Sequence, residues 1–192
     1  IRTLNTFLNF CVKQDLIRKN PLKGMKKYPI NIEEPRFLSP EEVKRLLDCA
    51  KSTKIYSIVA LAIYTGMRWG EINRLKWEDI DLTAGMITVR KSKSRIFRKL
   101  PIHKNLSEIM TGPSVIDNRT YSSFTFYWKK LLEDAKLDIR FHDLRHTFAS
   151  LLIKNGVDIL TVSKLLGHST IVVTQIYSHL YQDHIKDAMN KL

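Results

Sequence analysis

A few residues in this chain have the side-chain chemistry to hold a phosphodiester and attack it. Arg68 lies in Thr65-Gly66-Met67-Arg68-Trp69-Gly70-Glu71, and His142 and Arg145 lie in His142-Asp143-Leu144-Arg145-His146. His168 closes Leu165-Leu166-Gly167-His168, and Tyr177 follows nine positions later. A guanidinium is always charged and can grip two phosphate oxygens at once. Glu71, one helical turn after Arg68, can hold that arginine or a neighbouring base in place. His142 and Arg145 are spaced i, i+3 on one face near a helix start, where free N–H groups also favour an anion. A tyrosine hydroxyl with a pKa near 10 attacks only after losing its proton, and an imidazole is a fitting acceptor.

A zinc site would draw on some of the same residues, with His142 and His146 at i, i+4 and His168 as a third ligand. Asp143, however, stands where metalloproteases carry a glutamate base, and Arg145 would put a fixed positive charge beside the metal. The set therefore implies no metal and no cofactor. Taken singly, each residue has a plainer reading: a surface Arg–Glu pair, a histidine at a helix C-cap, a half-buried tyrosine.

Composition favours a polyanionic partner. The 192 residues are 44% hydrophobic and 27% charged, enough for a buried core. Thirty-two Lys+Arg against 19 Asp+Glu give a net charge of +13 and a pI of about 9.8. Such a field attracts nucleic acid, whose phosphates release counterions on binding. The two cysteines, Cys11 and Cys49, sit in apolar helical patterns, so a disulfide is not expected and a reducing cytoplasm is. There is no run of about 18 apolar residues and no signal peptide, so no membrane partner is expected. The chain opens at Ile1 in mid-pattern, as a fragment of a longer protein would.

Several elements must position these side chains. Residues 1–20 read as a helix with Leu4, Phe7, Leu8, Cys11 and Val12 on one face, ended by Asn20-Pro21. The Pro- and Lys-rich stretch 21–36 reads as a linker. Ser39-Pro40-Glu41-Glu42 is a capping box that opens the main domain. An apolar helix over 55–65 follows, then a short helix carrying Arg68, Glu71, Ile72 and Leu75. Ile80–Asp81, Met86–Arg90 and Arg98–Ile102 read as strands, with turns at Gly85 and over Lys91–Ser94. From Thr120 the pattern is helical again, with helix ends at Gly156 and Gly167. The last helix would be capped by Ser169 and would bury Val172, Val173, Ile176 and Leu180, leaving Tyr177 off the centre of that stripe. This order indicates an α+β fold, mainly helical with a small antiparallel sheet.

Between Arg90 and Lys104 there are seven Lys or Arg and no acid. A charge run of this kind is usually a solvated face. On two strands and their turn it also forms a ribbon suited to a DNA groove, which makes Arg90, Lys91, Arg95, Arg98 and Lys99 candidate DNA contacts. Lys93 falls at the turn, where it could protonate a leaving alkoxide if its pKa is lowered.

In this order, Arg68, Lys93, His142-x-x-Arg145, Gly167-His168 and Tyr177 resemble the active site of the tyrosine recombinases, or phage-type integrases. The resemblance runs from about Arg36 to Tyr181. Lys91 and Lys99 compete with Lys93 for the lysine position. The resemblance implies a tyrosine-recombinase-like catalytic domain over 36–192, preceded over 1–30 by the end of a core-binding, DNA-binding domain and its linker. It implies that Tyr177 attacks the scissile phosphate of double-stranded DNA to give a 3′-phosphotyrosyl link and a free 5′-hydroxyl. His142 would take the tyrosine proton, Arg68 and Arg145 would neutralise the phosphorane, His168 would donate to it, and Lys93 would protonate the 5′ oxygen. It further implies a tetrameric synapse contacted through the tail 178–192, an isolated chain that is monomeric, and a bacterial or phage-encoded, nucleoid-associated setting. Integration and excision of a mobile element is the expected role. A type IB topoisomerase-like enzyme and a non-catalytic DNA-binding protein of the same fold are the alternatives.

Overall fold

The structure, a computed structural model, describes residues 2–25, 35–90, 97–110, 120–168 and 175–177. The chain divides into two compact units, Ile1–Glu33 and Glu34–Leu192.

In the first unit, helix α1 (Arg2–Lys13) is shorter than its pattern suggests. Asp15 adopts a left-handed φ of 54°, and Leu16 N–H donates back to the Cys11 carbonyl at 2.9 Å. This is a Schellman closure with Asp in place of the usual glycine. It stops the helix well before Asn20-Pro21. Asn20 instead turns its side chain onto Asn5, at 2.8 Å, and onto Asn9.

The second unit begins as its capping box dictates. Ser39 caps α2 (Pro40–Ala50), accepting from Glu42 N–H, while the Glu42 carboxylate accepts from Ser39 N–H. Helix α3 (Tyr56–Thr65) is buried nearly all round and packs against α2, α5 and α7 (the last two are Lys104–Ile109 and Asp143–Lys154). A helix apolar on all faces belongs at the centre of a core. The one-turn α4 (Trp69–Ile72) follows.

Strands β1 (Ile80–Asp81), β2 (Met86–Arg90) and β3 (Phe97–Pro101) form an antiparallel sheet in the order β1-β2-β3. The register pairs Ile87 with Leu100 and Val89 with Arg98. Side chains alternate between faces, so Ile87, Val89 and Leu100 lie on the buried face, and Arg98 lies with them. Helices α6 (Tyr121–Ala135) and α8 (Ile159–Leu166) complete the unit, and a 3₁₀ turn spans Gln175–Tyr177. The architecture is α+β and mainly helical, as the change of period along the sequence indicates.

An aromatic cluster ties the site-bearing segments together. Trp69, directly after Arg68, lies 4.1 Å from Phe124 of α6. Phe141, directly before His142, lies 4.9 Å from Phe124 and 5.4 Å from Trp128 between ring centroids. Aromatic contacts of this kind, tilted at Trp69 and edge-to-face at Phe141, have preferred geometries, so they set the entry into α4 and into α7.

Candidate active site

Arg145 is the centre of the site. It is 3% exposed, and its two Nη atoms donate to the Gly66 carbonyl at 2.8 Å and the Leu166 carbonyl at 2.6 Å. Those carbonyls end α3 and α8 respectively, where the last turn of a helix has unpaired acceptors and a partial negative charge. One guanidinium therefore joins two helix C-termini. Burial, and then repulsion from Arg68, push its pKa down to about 9, so it stays charged at neutral pH.

Both helix ends need glycine. Gly66 has φ 63°, and a Cβ there would meet Phe148 Cδ1 at 2.5 Å. Gly167 has φ 66°, and a Cβ there would meet the Arg98 guanidinium at 2.9 Å. Left-handed φ and close approach both select against a side chain.

Arg68 is the N-cap of α4, with its side chain 43% exposed. Glu71 accepts from its backbone N–H at 2.8 Å, and from its Nη1 at 3.4 Å. Burial alone would raise the Glu71 carboxyl, but hydrogen bonds from Arg98 and Arg68 hold it down at about 2.

Tyr177 departs from the sequence expectation. It is not half-buried at the side of an apolar stripe but 2% exposed, on a 3₁₀ turn, packed with Ala149, Ile153, Val162 and Leu166. Its hydroxyl lies 2.5 Å from His146 Nδ1. Burial pushes its pKa up to about 12, against the pull of Arg145.

The imidazole beside the Tyr177 hydroxyl is thus His146, where the sequence pointed to His142. His142 is exposed and stands edge-to-face to His146, with ring centroids 5.1 Å apart. The i, i+3 spacing of His142 and Arg145 does not give them one environment. Arg145 turns inward to the two carbonyls while His142 stays at the surface. His168 follows the C-cap of α8. Desolvation, then Arg145 and Arg68, push it down to about 4. Desolvation and then His142 push His146 down to about 4, and His142 is lowered by desolvation and then by Arg145. Mutual repulsion among cations is a shared cause, and an anion among them would reverse it.

The candidate DNA contacts separate. Lys99 is exposed on β3. Arg90 is half-exposed but pairs with Asp79 and with Glu78 at 3.7 Å. Arg98 does not face outward. Its side chain is 11% exposed, with Nη1 and Nη2 on the Glu71 carboxylate at 2.8 and 2.9 Å and Nε on the Leu165 carbonyl at 2.8 Å. With each of its three nitrogens donating to a protein acceptor, this inward guanidinium is not placed as a groove contact. Lys91, Lys93, Arg95, Ser169, Val172, Val173, Leu180 and the tail 178–192 lie outside the described residues. Among the described residues no group of three or more His, Cys, Asp or Glu could hold a metal ion, and no helix is long and apolar enough to cross a membrane.

Two guanidiniums, three imidazoles and a buried tyrosine have the side-chain chemistry to hold and attack a phosphodiester. Residues 36–184 match the phage integrase family, and the chain belongs to that family, whose members are the tyrosine recombinases, enzymes that cleave and rejoin DNA. A tyrosine recombinase of Pseudothermotoga lettingae is 27% identical over all of this chain and 73% of the relative. Tyrosine recombinase XerA of Saccharolobus solfataricus is 34% identical over 81% of this chain, which spans 56% of XerA. The solved catalytic domain of bacteriophage HP1 integrase superposes with a TM-score of 0.68 at 32% identity, over 82% of this chain and 95% of that domain.

Proposed function

We propose that this chain performs site-specific recombination of double-stranded DNA, with Tyr177 as the nucleophile. The observation that carries the reading is the Tyr177 hydroxyl, set against His146, the residue next to the doubly anchored Arg145. The tyrosine oxygen forms a bond to the scissile phosphorus, and the bond from phosphorus to the 5′ oxygen breaks. The tyrosine proton passes to an imidazole nitrogen, His146 Nδ1 by proximity, with His142 alongside. A proton from Lys93 goes to the departing 5′ oxygen. Arg68 and Arg145 neutralise the charge that grows on the non-bridging oxygens, and His168 donates a hydrogen bond there. The phosphate ester is conserved in the 3′-phosphotyrosine, so a second 5′-hydroxyl can reverse the step without ATP.

The finer role would be integration and excision of a mobile element, which the likeness to the HP1 integrase domain favours, in a tetrameric synapse held through residues 178–192. Lys99 and the lysines and arginine of the β2–β3 connection would meet the DNA backbone. Residues 1–30 would be the end of a core-binding domain. The isolated chain should sediment as a monomer at low micromolar concentration, and a stable dimer there would contradict the assembly proposed.

A nicked suicide substrate tests the chemistry. Wild-type protein should accumulate a covalent protein–DNA adduct, and Tyr177→Phe should bind the same DNA with none. An adduct from Tyr177→Phe would falsify the assignment of the nucleophile.

A further inference from the structure

Arg98 occupies a place that neither a surface salt bridge nor a DNA contact explains. Its fork grips both oxygens of Glu71 at 2.8 and 2.9 Å, and its Nε donates to the Leu165 carbonyl at 2.8 Å. On the far side of the same carboxylate, Glu71 holds the Arg68 backbone N–H at 2.8 Å and reaches its guanidinium at 3.4 Å. On the other side, the residue after Leu165 gives its carbonyl to Arg145 at 2.6 Å. Gly167 then lies so close to Arg98 that an added Cβ would come within 2.9 Å of Nη1 and 3.0 Å of Cδ. His168 is next in the chain. Arg98 thus touches the support of Arg68, the helix end that anchors Arg145, and the residue that carries His168.

We infer that Arg98 is a positioning residue for the transesterification site, a strut from β3 that holds Arg68, Arg145 and His168 in one frame through Glu71 and the C-terminus of α8. The inference rests on the reading of Tyr177 as nucleophile. A bidentate arginine–carboxylate pair fixes direction as well as distance, which a lysine cannot do. A phosphoryl-transfer site depends on such placement, because its donors must meet charge that develops only in the transition state.

The charged groups around Glu71 allow a specific prediction. Arg68 faces it from α4, Arg98 from β3 and Arg145 from α7, while Arg74, Asp79 and Arg90 line the cavity beside it. With Arg98 present, the carboxyl stays ionised down to about 2. Without Arg98, burial is opposed only by Arg68 and the more distant Arg145, so the carboxyl titrates at higher pH.

The experiment follows adduct formation with a nicked substrate, single-turnover, from pH 5 to 8, for wild type, Arg98→Lys, Arg98→Met and the double variant Arg98→Met, Glu71→Gln. DNA affinity and thermal melting are recorded for each. Arg98→Lys should form adduct roughly 10-fold more slowly with DNA affinity within about twofold of wild type, the mark of a transition-state effect. Arg98→Met should show an acid limb at higher pH than wild type, and Glu71→Gln in that background should remove it. A wild-type rate and pH profile in Arg98→Lys overturns the inference, as does an acid limb that persists in the double variant. Carboxyl-detected NMR of Glu71 in Arg98→Lys reads the strut without activity. Its titration should move up from the wild-type position, and an unmoved titration overturns the inference even where a variant melts early. If wild-type protein gives no adduct, the assignment of Tyr177 fails, while the NMR result still judges the strut separately.

Discussion

As the proposed nucleophile, Tyr177 starts poor, because burial raises its hydroxyl to about 12. His146, at about 4, is neutral at working pH and so is an open proton acceptor, although a weak one. Transfer between such mismatched partners is favourable only as the phosphorus–oxygen bond forms and Arg145 stabilises the product charge. His146→Gln should therefore slow adduct formation by about 10²-fold, within the range for loss of general-base catalysis. Its rate should then climb about tenfold per pH unit from 6 to 9, as hydroxide replaces the imidazole, while wild type stays flatter. Single-turnover cleavage of His146→Gln beside His142→Gln checks this. A larger loss in His142→Gln would return the proton to His142. Arg68→Ala and Arg145→Ala should each slow cleavage by roughly 10²-fold or more, the usual loss for one transition-state donor. Near-normal cleavage by either would remove that arginine from the site.

The elements place these residues through their ends. Arg145 sits where α3 and α8 stop, Arg68 where α4 starts, and each stop needs a glycine. Gly66→Ala would put a Cβ 2.5 Å from Phe148 Cδ1 at a φ of 63°, whereas Gly156→Ala at φ 84° meets nothing within 4 Å. The second change should cost about 1 kcal/mol for its backbone alone. The first should cost about 2–4 kcal/mol, because overpacking adds to the backbone penalty. Urea denaturation of both variants measures the difference, and equal losses would refute the packing argument. These ends also mark what local pattern could reveal. The Ser39–Glu42 box and the alternation of Ile87, Val89 and Leu100 are local, so they were legible. The same alternation carried the sign that Arg98 points inward, two residues before Leu100, but the charge of the residue suggested the surface. His146 was marked only as a possible zinc ligand, and nothing local tied it to Tyr177. It meets Tyr177 across 31 positions of sequence, and the turn that delivers Tyr177 is 3₁₀ where a helical stripe was expected. The early stop of α1 was hidden because an aspartate takes the left-handed position where a glycine would have signalled it.

At the scale of the whole molecule, the cost of building the site appears as acid sensitivity. A chain of net charge +13 gathers cations around one point, and His142, His146 and His168 are depressed by burial and then by the neighbouring cations, Arg145 for His142 and His168 and His142 for His146. An unfolded histidine titrates near 6.5, while His146 and His168 titrate at about 4 when folded. Between those values the unfolded chain binds more protons, so stability rises with pH there and is lost as pH falls from about 6.5 to 4. Glu71 acts lower. Its folded value of about 2 means that its contribution is whole above about 4.5 and is lost only as pH drops toward 2. The first acid loss should therefore belong to the histidines, at about 1–2 kcal/mol each after discounting for partial solvent screening. Thermal melts from pH 7.5 to 4 should show the midpoint falling through that window, and His146→Asn and His168→Asn should each flatten the fall. A duplex should flatten it further, because phosphate among the cations favours the protonated imidazoles and so binds more tightly as the pH drops. A midpoint that falls as steeply with DNA as without would mean that the phosphate does not lie among these histidines.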